Sequence, residues 1–137
     1  MKSRDNLLRL KRFQVDEKRR QVTQIETMIA DFSRMAEELN RQIEDEERRV
    51  GVTDVTHFAY PTFAKAAMQR RDNLNGSIAD LQTQLAGAQG ALAEAFEDLK
   101  KVELLEERNQ DRERQAESQR AQAELDAIGL AMHMRAT

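Results

Sequence analysis

The sequence predicts an all-α fold, a long antiparallel two-helix coiled coil (a helical hairpin) with a C-terminal helical overhang. Three observations carry that prediction: a heptad seam through the first fifty residues, a second seam from Leu74, and a constant index sum between the two. Composition agrees. The 137 residues hold 4% aromatics, no Trp, one Pro and 34% charged side chains, at a mean hydropathy of -0.78. A compact globule needs a wide apolar supply, whereas two paired helices need only a narrow stripe. The chain reads as a single coiled-coil domain over residues 1–137, with helix 4–50, turn 51–60, helix 61–125 and a polar overhang from about 107 to 137.

In the first arm apolar residues recur every seventh position at Leu8, Val15, Val22, Ile29, Ala36, Ile43 and Val50. Taking these as a positions puts Ile25, Phe32 and Leu39 at d, with Lys11 and Lys18 at the earlier d positions, where their stems can cover the seam while the ammonium groups reach water. On the opposite face Glu17, Asp31, Glu38 and Asp45 each precede an arginine by three residues (Arg20, Arg34, Arg41, Arg48). That spacing makes neighbours along a helix, worth about 0.2–0.5 kcal/mol per pair, and identifies a solvated face rather than a binding stripe. Gly51 can close the helix, VTDVTHFAYP follows as the turn, and Pro61 suits the first turn of a new helix.

In the second arm the spacing alternates four and three through Leu74, Ile78, Leu81, Leu85, Ala88, Leu92, Ala95, Leu99 and Val102. Antiparallel pairing requires a constant index sum. Leu39 with Leu74, Met35 with Ile78, Phe32 with Leu81, Met28 with Leu85, Ile25 with Ala88 and Leu8 with Leu105 all give 113. Charge points the same way. Residues 1–20 carry eight bases and three acids, and the facing segment 93–112 carries seven acids and four bases. A parallel dimer would stack the basic start on its own copy, so a monomeric rod is expected. Lys18 is expected near Glu94 and Asp98, and Lys11 near Glu103 and Glu106. Gly76, Gly87 and Gly90 interrupt this arm, each at roughly 1 kcal/mol relative to alanine; they read equally as sites of close approach or bending and as tolerated defects.

Several functional classes lack a sequence basis. His57 and His133 are isolated, and no HExxH, GxxxxGK[ST] or GxSxG occurs, so the chain reads as non-enzymatic, with no cofactor and no metal. The acidic run Glu44 to Glu47 reads as an exposed, compensated helix end. Absence of Cys suits a reducing cytoplasm, and no apolar run has the length of about 18 residues needed for membrane insertion. A net charge of -3 argues against bulk attraction to nucleic acid or to an anionic membrane.

Two features exceed what a hairpin needs. Leu10 and Phe13 fall at outward c and f positions, which marks a docking spot or a local drift of the seam. Beyond Glu107 the chain has no partner left in the first arm. It stays polar through ERNQDRERQAESQRAQAE and then turns apolar at Leu125, Ile128, Leu130, Met132 and Met134.

The start MKSRDNLLRLKRFQVDEKRR, the turn HFAYPTFAKAA with QRRDNL behind it, and LKKVELLEER before a charged helix resemble FliJ-type proteins of the bacterial flagellar export apparatus, particularly those of alphaproteobacteria. The resemblance spans almost the whole chain. It implies an antiparallel coiled coil similar to the central stalk of rotary ATPases, cytoplasmic and peripheral at the base of the flagellum. It implies binding to the hexameric flagellar export ATPase, promotion of its assembly and activity, and contact with the membrane export gate and export chaperones. No catalytic residues carry over. The family's aromatic at the start of the second helix and the face behind it map onto Phe63, Ala67, Arg70 and Leu74, where Arg70 departs from an otherwise small or apolar pattern. Phe58 and Tyr60 of the turn join Phe63, Ala67 and Leu74 as expected gate contacts. At the end carrying both termini, Arg9, Leu10, Arg12, Phe13 and Arg19 with Leu125, Ile128 and Leu130 are the expected ring contacts. The alternatives are a prefoldin-like holdase, for which a ten-residue linker leaves no room for β-hairpins, a tRNA-binding helical arm, and a generic coiled-coil scaffold.

Overall fold

A computed structural model describes residues 2–52 and 59–136, and these form two helices, α1 (Lys2–Val52) and α2 (Ala59–Ala136). The chain is all-α, and the two long helices pack against each other as an antiparallel hairpin. Both helices run further than the sequence signals suggest. Gly51 does not end α1, because glycine permits a left-handed cap without requiring one. The second helix continues past Leu125 because AIGLAMHM, its single glycine aside, is built of good helix formers. Pro61 is the third residue of α2, in the first turn, where a missing N–H costs no hydrogen bond.

The chain divides into two compact units, residues 1–13 with 96–137 and residues 14–95. In the second unit the buried side chains are Val15, Ala36, Ile43, Ala64, Ala67, Leu81 and Ala95. Every a and d residue named from the sequence in this unit is buried or half-buried, apart from Val50, which lies outside the described side chains. Two of the proposed pairs are corrected. Met28 and Met35 are exposed, Met35 at 54%, because each stands one residue before an a position, and Ile29 and Ala36 take the seam instead. The antiparallel alignment is fixed directly by Arg71, which donates from a guanidinium NH2 group to Asn40 Oδ1 at 3.1 Å. All four expected arginine pairs form on the outer face: Glu17 with Arg20, Asp31 with Arg34, Glu38 with Arg41 at 2.8 Å and Asp45 with Arg48 at 3.0 Å. Lys18 is half-buried at its seam position, and among the described residues no ion pair joins it to Glu94 or Asp98.

In the first unit Leu99 is buried and Leu8, Lys11 and Val102 are half-buried. Here the pairing of Leu8 with Leu105 is corrected. The four-three spacing beyond Val102 selects Glu106, Asn109 and Glu113, so Leu105 falls beside the seam and is 57% exposed. Arg4 reaches Glu113 across the helices at 3.9 Å, an exposed pair of small energy. Lys11 forms no ion pair with Glu103 or Glu106 among the described residues.

A Cβ added at Gly76, Gly87, Gly90 or Gly129 would meet nothing within 4 Å. Close approach of the two helices is therefore not what these glycines provide.

Candidate functional surfaces

A helical hairpin offers surfaces rather than a closed site, and three are distinct. The first is the exposed continuation of α2. From Gln110 to Ala136 every residue is exposed, yet the helix is unbroken. Its first half is held by local polar contacts, among them Arg114 with Asp111 and Gln122 Nε2 donating to Asp126 Oδ1 at 3.0 Å. Its second half presents Leu125, Ile128, Leu130, Met132 and Met134 at 56–68% exposure. At 100° per residue Leu125, Ile128 and Met132 share one side, while Leu130 and Met134 lie on the other. Apolar side chains on two opposite sides, with Asp126 and His133 between them, suit a helix gripped from both sides better than one lying on a flat surface.

The second surface is in the unit of residues 1–13 and 96–137. Leu10 and Phe13 project outward, at 49% and 56% exposure, so they belong to no drifting seam. Arg9 and Arg12 beside them are exposed. Arg19 lies in the other unit, also exposed, and lines a shallow concavity with Arg20, Thr23 and Met28. Behind the apolar stripe a cavity of about 140 Å³ is lined by Arg4, Leu7, Val102, Leu105, Glu106 and Asn109. Glu106 Oε2 is buried without a hydrogen-bond partner. A carboxylate at a seam position weakens the coil where a leucine would strengthen it.

The third is a groove of about 900 Å³ in the unit of residues 14–95, with Met35, Leu39 and Leu74 as its apolar part and Arg34, Arg41 and Arg70 as its bases. It includes two of the residues mapped from the turn motif, Arg70 and Leu74. Phe63 stands 39% exposed outside it, while Ala67 is only 4% exposed and packs inward. Phe58 and the side chain of Tyr60 lie outside the described residues. Sequence reasoning stopped the seam at Leu74, but stepping back by three and four reaches Arg71, Ala67 and Ala64, which explains why Ala67 is covered. The same stepping would have found Arg71 as a seam residue and Glu106 and Asn109 as its polar end.

Among the described residues no group of His, Cys, Asp or Glu is placed to hold a metal ion, and no helix is long and apolar enough to cross a membrane. The acidic run is compensated locally, Asp45 by Arg48 and Glu46 by Arg49.

No curated protein and no solved structure matches the chain in sequence or fold comparison. A family model does, that of the flagellar FliJ protein, over residues 5–137, which is nearly the full length and both surfaces-bearing arms. The chain therefore belongs to the flagellar FliJ family and is a component of the flagellar export apparatus.

Proposed function

We propose that this chain is a non-catalytic stalk of the export apparatus, cytoplasmic and peripheral at the base of the flagellum, which binds the hexameric export ATPase and promotes its assembly and activity. The observation that carries the reading is the helix from Gln110 to Ala136, exposed along its whole length and ending in a run with large apolar side chains on two opposite sides. Such a helix gains little from order on its own, and gains most from a partner that surrounds it. A ring does so. Leu125, Ile128 and Leu130 would enter deepest, with Arg9, Leu10, Arg12, Phe13 and Arg19 meeting the ring's loops. Several exposed, replaceable polar contacts suit a stalk whose neighbours change during a catalytic cycle.

Coupling to the membrane export gate and to export chaperones is assigned to the groove of Met35, Leu39, Arg70 and Leu74, with Phe63 exposed outside it. The apolar strip can take the apolar face of a partner helix, with Arg70, which forms no ion pair among the described residues, meeting an acid on its flank, since Arg34 and Arg41 are already paired with Asp31 and Glu38 in the same lining.

The test is a chain ended after Glu113. This cut keeps Arg4 with Glu113 and every seam residue, whereas a cut after Glu107 would remove Asn109 and Glu113 from the hairpin. The shortened chain should melt like the full one and fail to stimulate the purified export ATPase. Unchanged stimulation would overturn the ring assignment.

A further inference from the structure

In the unit of residues 1–13 and 96–137, one face combines projecting apolar side chains with uncompensated positive charge. Leu7 and Leu105 line the same small cavity, so they border one side of the hairpin. Leu10 and Phe13 follow Leu7 by steps of three along α1, each step turning about 60° further from α2, so that Phe13 stands at the edge of this face. On α2, Lys101, Arg108 and Arg112 stand four before, three after and seven after Leu105, which places all three on its side of the helix. They are exposed, and among the described residues none has an ion-pair partner. The nearest acids are Asp111, three after Arg108 but paired with Arg114, and Glu97 and Asp98, four and three before Lys101, with no ion pair to it among the described residues. At the far flank Arg9 and Arg12 alternate with Asp5 and Asp16, and Asp98 lies one heptad below Leu105, so the net positive charge is concentrated around the leucine.

We propose that this face is an adsorption site for an anionic lipid surface, with Leu7, Leu10, Phe13 and Leu105 entering the interface and Lys101, Arg108 and Arg112 meeting the headgroup phosphates. Two observations choose lipid over a protein helix. The apolar residues stand out as knobs, and the concavity between them, about 140 Å³, is too small to seat a partner helix. A fluid interface needs no shape match, only apolar side chains flanked by bases. The chain's net charge of -3 does not oppose this, because attraction is felt within a Debye length of the membrane, where only the facing side chains count. The adsorption is peripheral; it shares Leu10 and Phe13 with the ring assignment but takes its charge from Lys101, Arg108 and Arg112, which carry no role there, so variants of these bases separate the two.

The experiment is co-sedimentation of the full chain with phosphatidylcholine vesicles, with and without phosphatidylglycerol. Binding is expected only to the anionic vesicles, and salt should abolish it. Arg108→Gln with Arg112→Gln should lower the partition coefficient roughly tenfold or more, on the usual contribution per base near a charged surface. Leu10→Ser with Phe13→Ser should lower it with unchanged helical melting, since both side chains are already exposed. Arg20→Gln with Arg34→Gln, in the other unit and each next to an acid, should leave it unchanged. Absence of binding to anionic vesicles at low salt overturns the proposal and leaves the face to an acidic protein partner. Equal loss from the Arg20 and Arg34 variants also overturns it, because it would show attraction without a site.

Discussion

Replacing Gly87 and Gly90 together with alanine should stabilise the hairpin. Both lie mid-helix in α2, and an added Cβ meets nothing within 4 Å at either position, so no clash subtracts from the gain in helix propensity. Each substitution is worth about 1 kcal/mol, and with no shared partner the two should add to about 2 kcal/mol. For a chain of this size that is a rise in melting temperature of roughly 5–8 °C. Thermal and urea melts followed by circular dichroism measure it directly. Gly129→Ala is the control: its propensity gain is the same, but it lies in the exposed continuation of α2, so it should leave the main transition in place. An unchanged or lower melting temperature for the double variant would refute the reasoning, and would mean that these glycines serve a bent or partner-bound conformation. If the double variant melts higher yet stimulates the export ATPase less, the bend is functional and alanine has suppressed it.

Three further outcomes follow from the same geometry. Glu106→Leu removes a buried, unpartnered carboxylate oxygen from a seam position and should raise the urea midpoint by the equivalent of roughly 1 kcal/mol; a lower midpoint would show that Glu106 is paired in solution. Leu81→Ala, at a buried position, should cost about 2–3 kcal/mol in urea melts, whereas Met35→Ala, on the exposed side, should cost under about 0.5 kcal/mol while weakening any partner seated in the groove. Neutralising Arg34 and Arg41 together should lower stability by no more than about 1 kcal/mol, and the effect should vanish at high salt, because both pairs are exposed neighbours on one helix; a large, salt-independent loss would contradict the solvated-face reading.

Much of the fold was legible because a heptad seam is a one-dimensional pattern. The apolar a and d residues of both arms and the four arginine pairs follow from spacing alone, whereas spacing leaves Leu10 and Phe13 open between an outward patch and a drifting seam. Illegible from spacing were the places where the seam is polar. Arg71, Glu106 and Asn109 occupy seam positions, and an apolar search passes over them, ending one arm early and drawing Leu105 into the core. Met28 and Met35 misled for the opposite reason: an apolar residue one step from a seam position satisfies an index sum as well as the true one does. Of the surfaces, the overhang was visible as chain without a partner, but the groove required the two helices side by side, and the inward turn of Ala67 required the missing part of the seam.

The composition of the buried positions bears on how such a chain can work. Among the described residues eight hydrophobic side chains are buried, four of them alanines (Ala36, Ala64, Ala67, Ala95), and no large side chain is fully enclosed. Alanine buries little area, so these layers contribute far less than leucine or isoleucine layers would. Lys11, Lys18, Arg71 and Glu106 weaken further layers. A hairpin held this lightly depends on helix propensity and on whatever covers its exposed leucines and methionines, and its stability must rise when a partner binds. That coupling gives the ring assignment a consequence independent of ATPase activity. The full chain should melt higher in the presence of the ATPase, and the chain ended after Glu113 should lose most of that increment, since it lacks Leu125, Ile128, Leu130, Met132 and Met134, each left more than half exposed. An increment that survives the truncation would place the stabilising contact on the hairpin itself, at Leu10 and Phe13, and not on the continuation of α2.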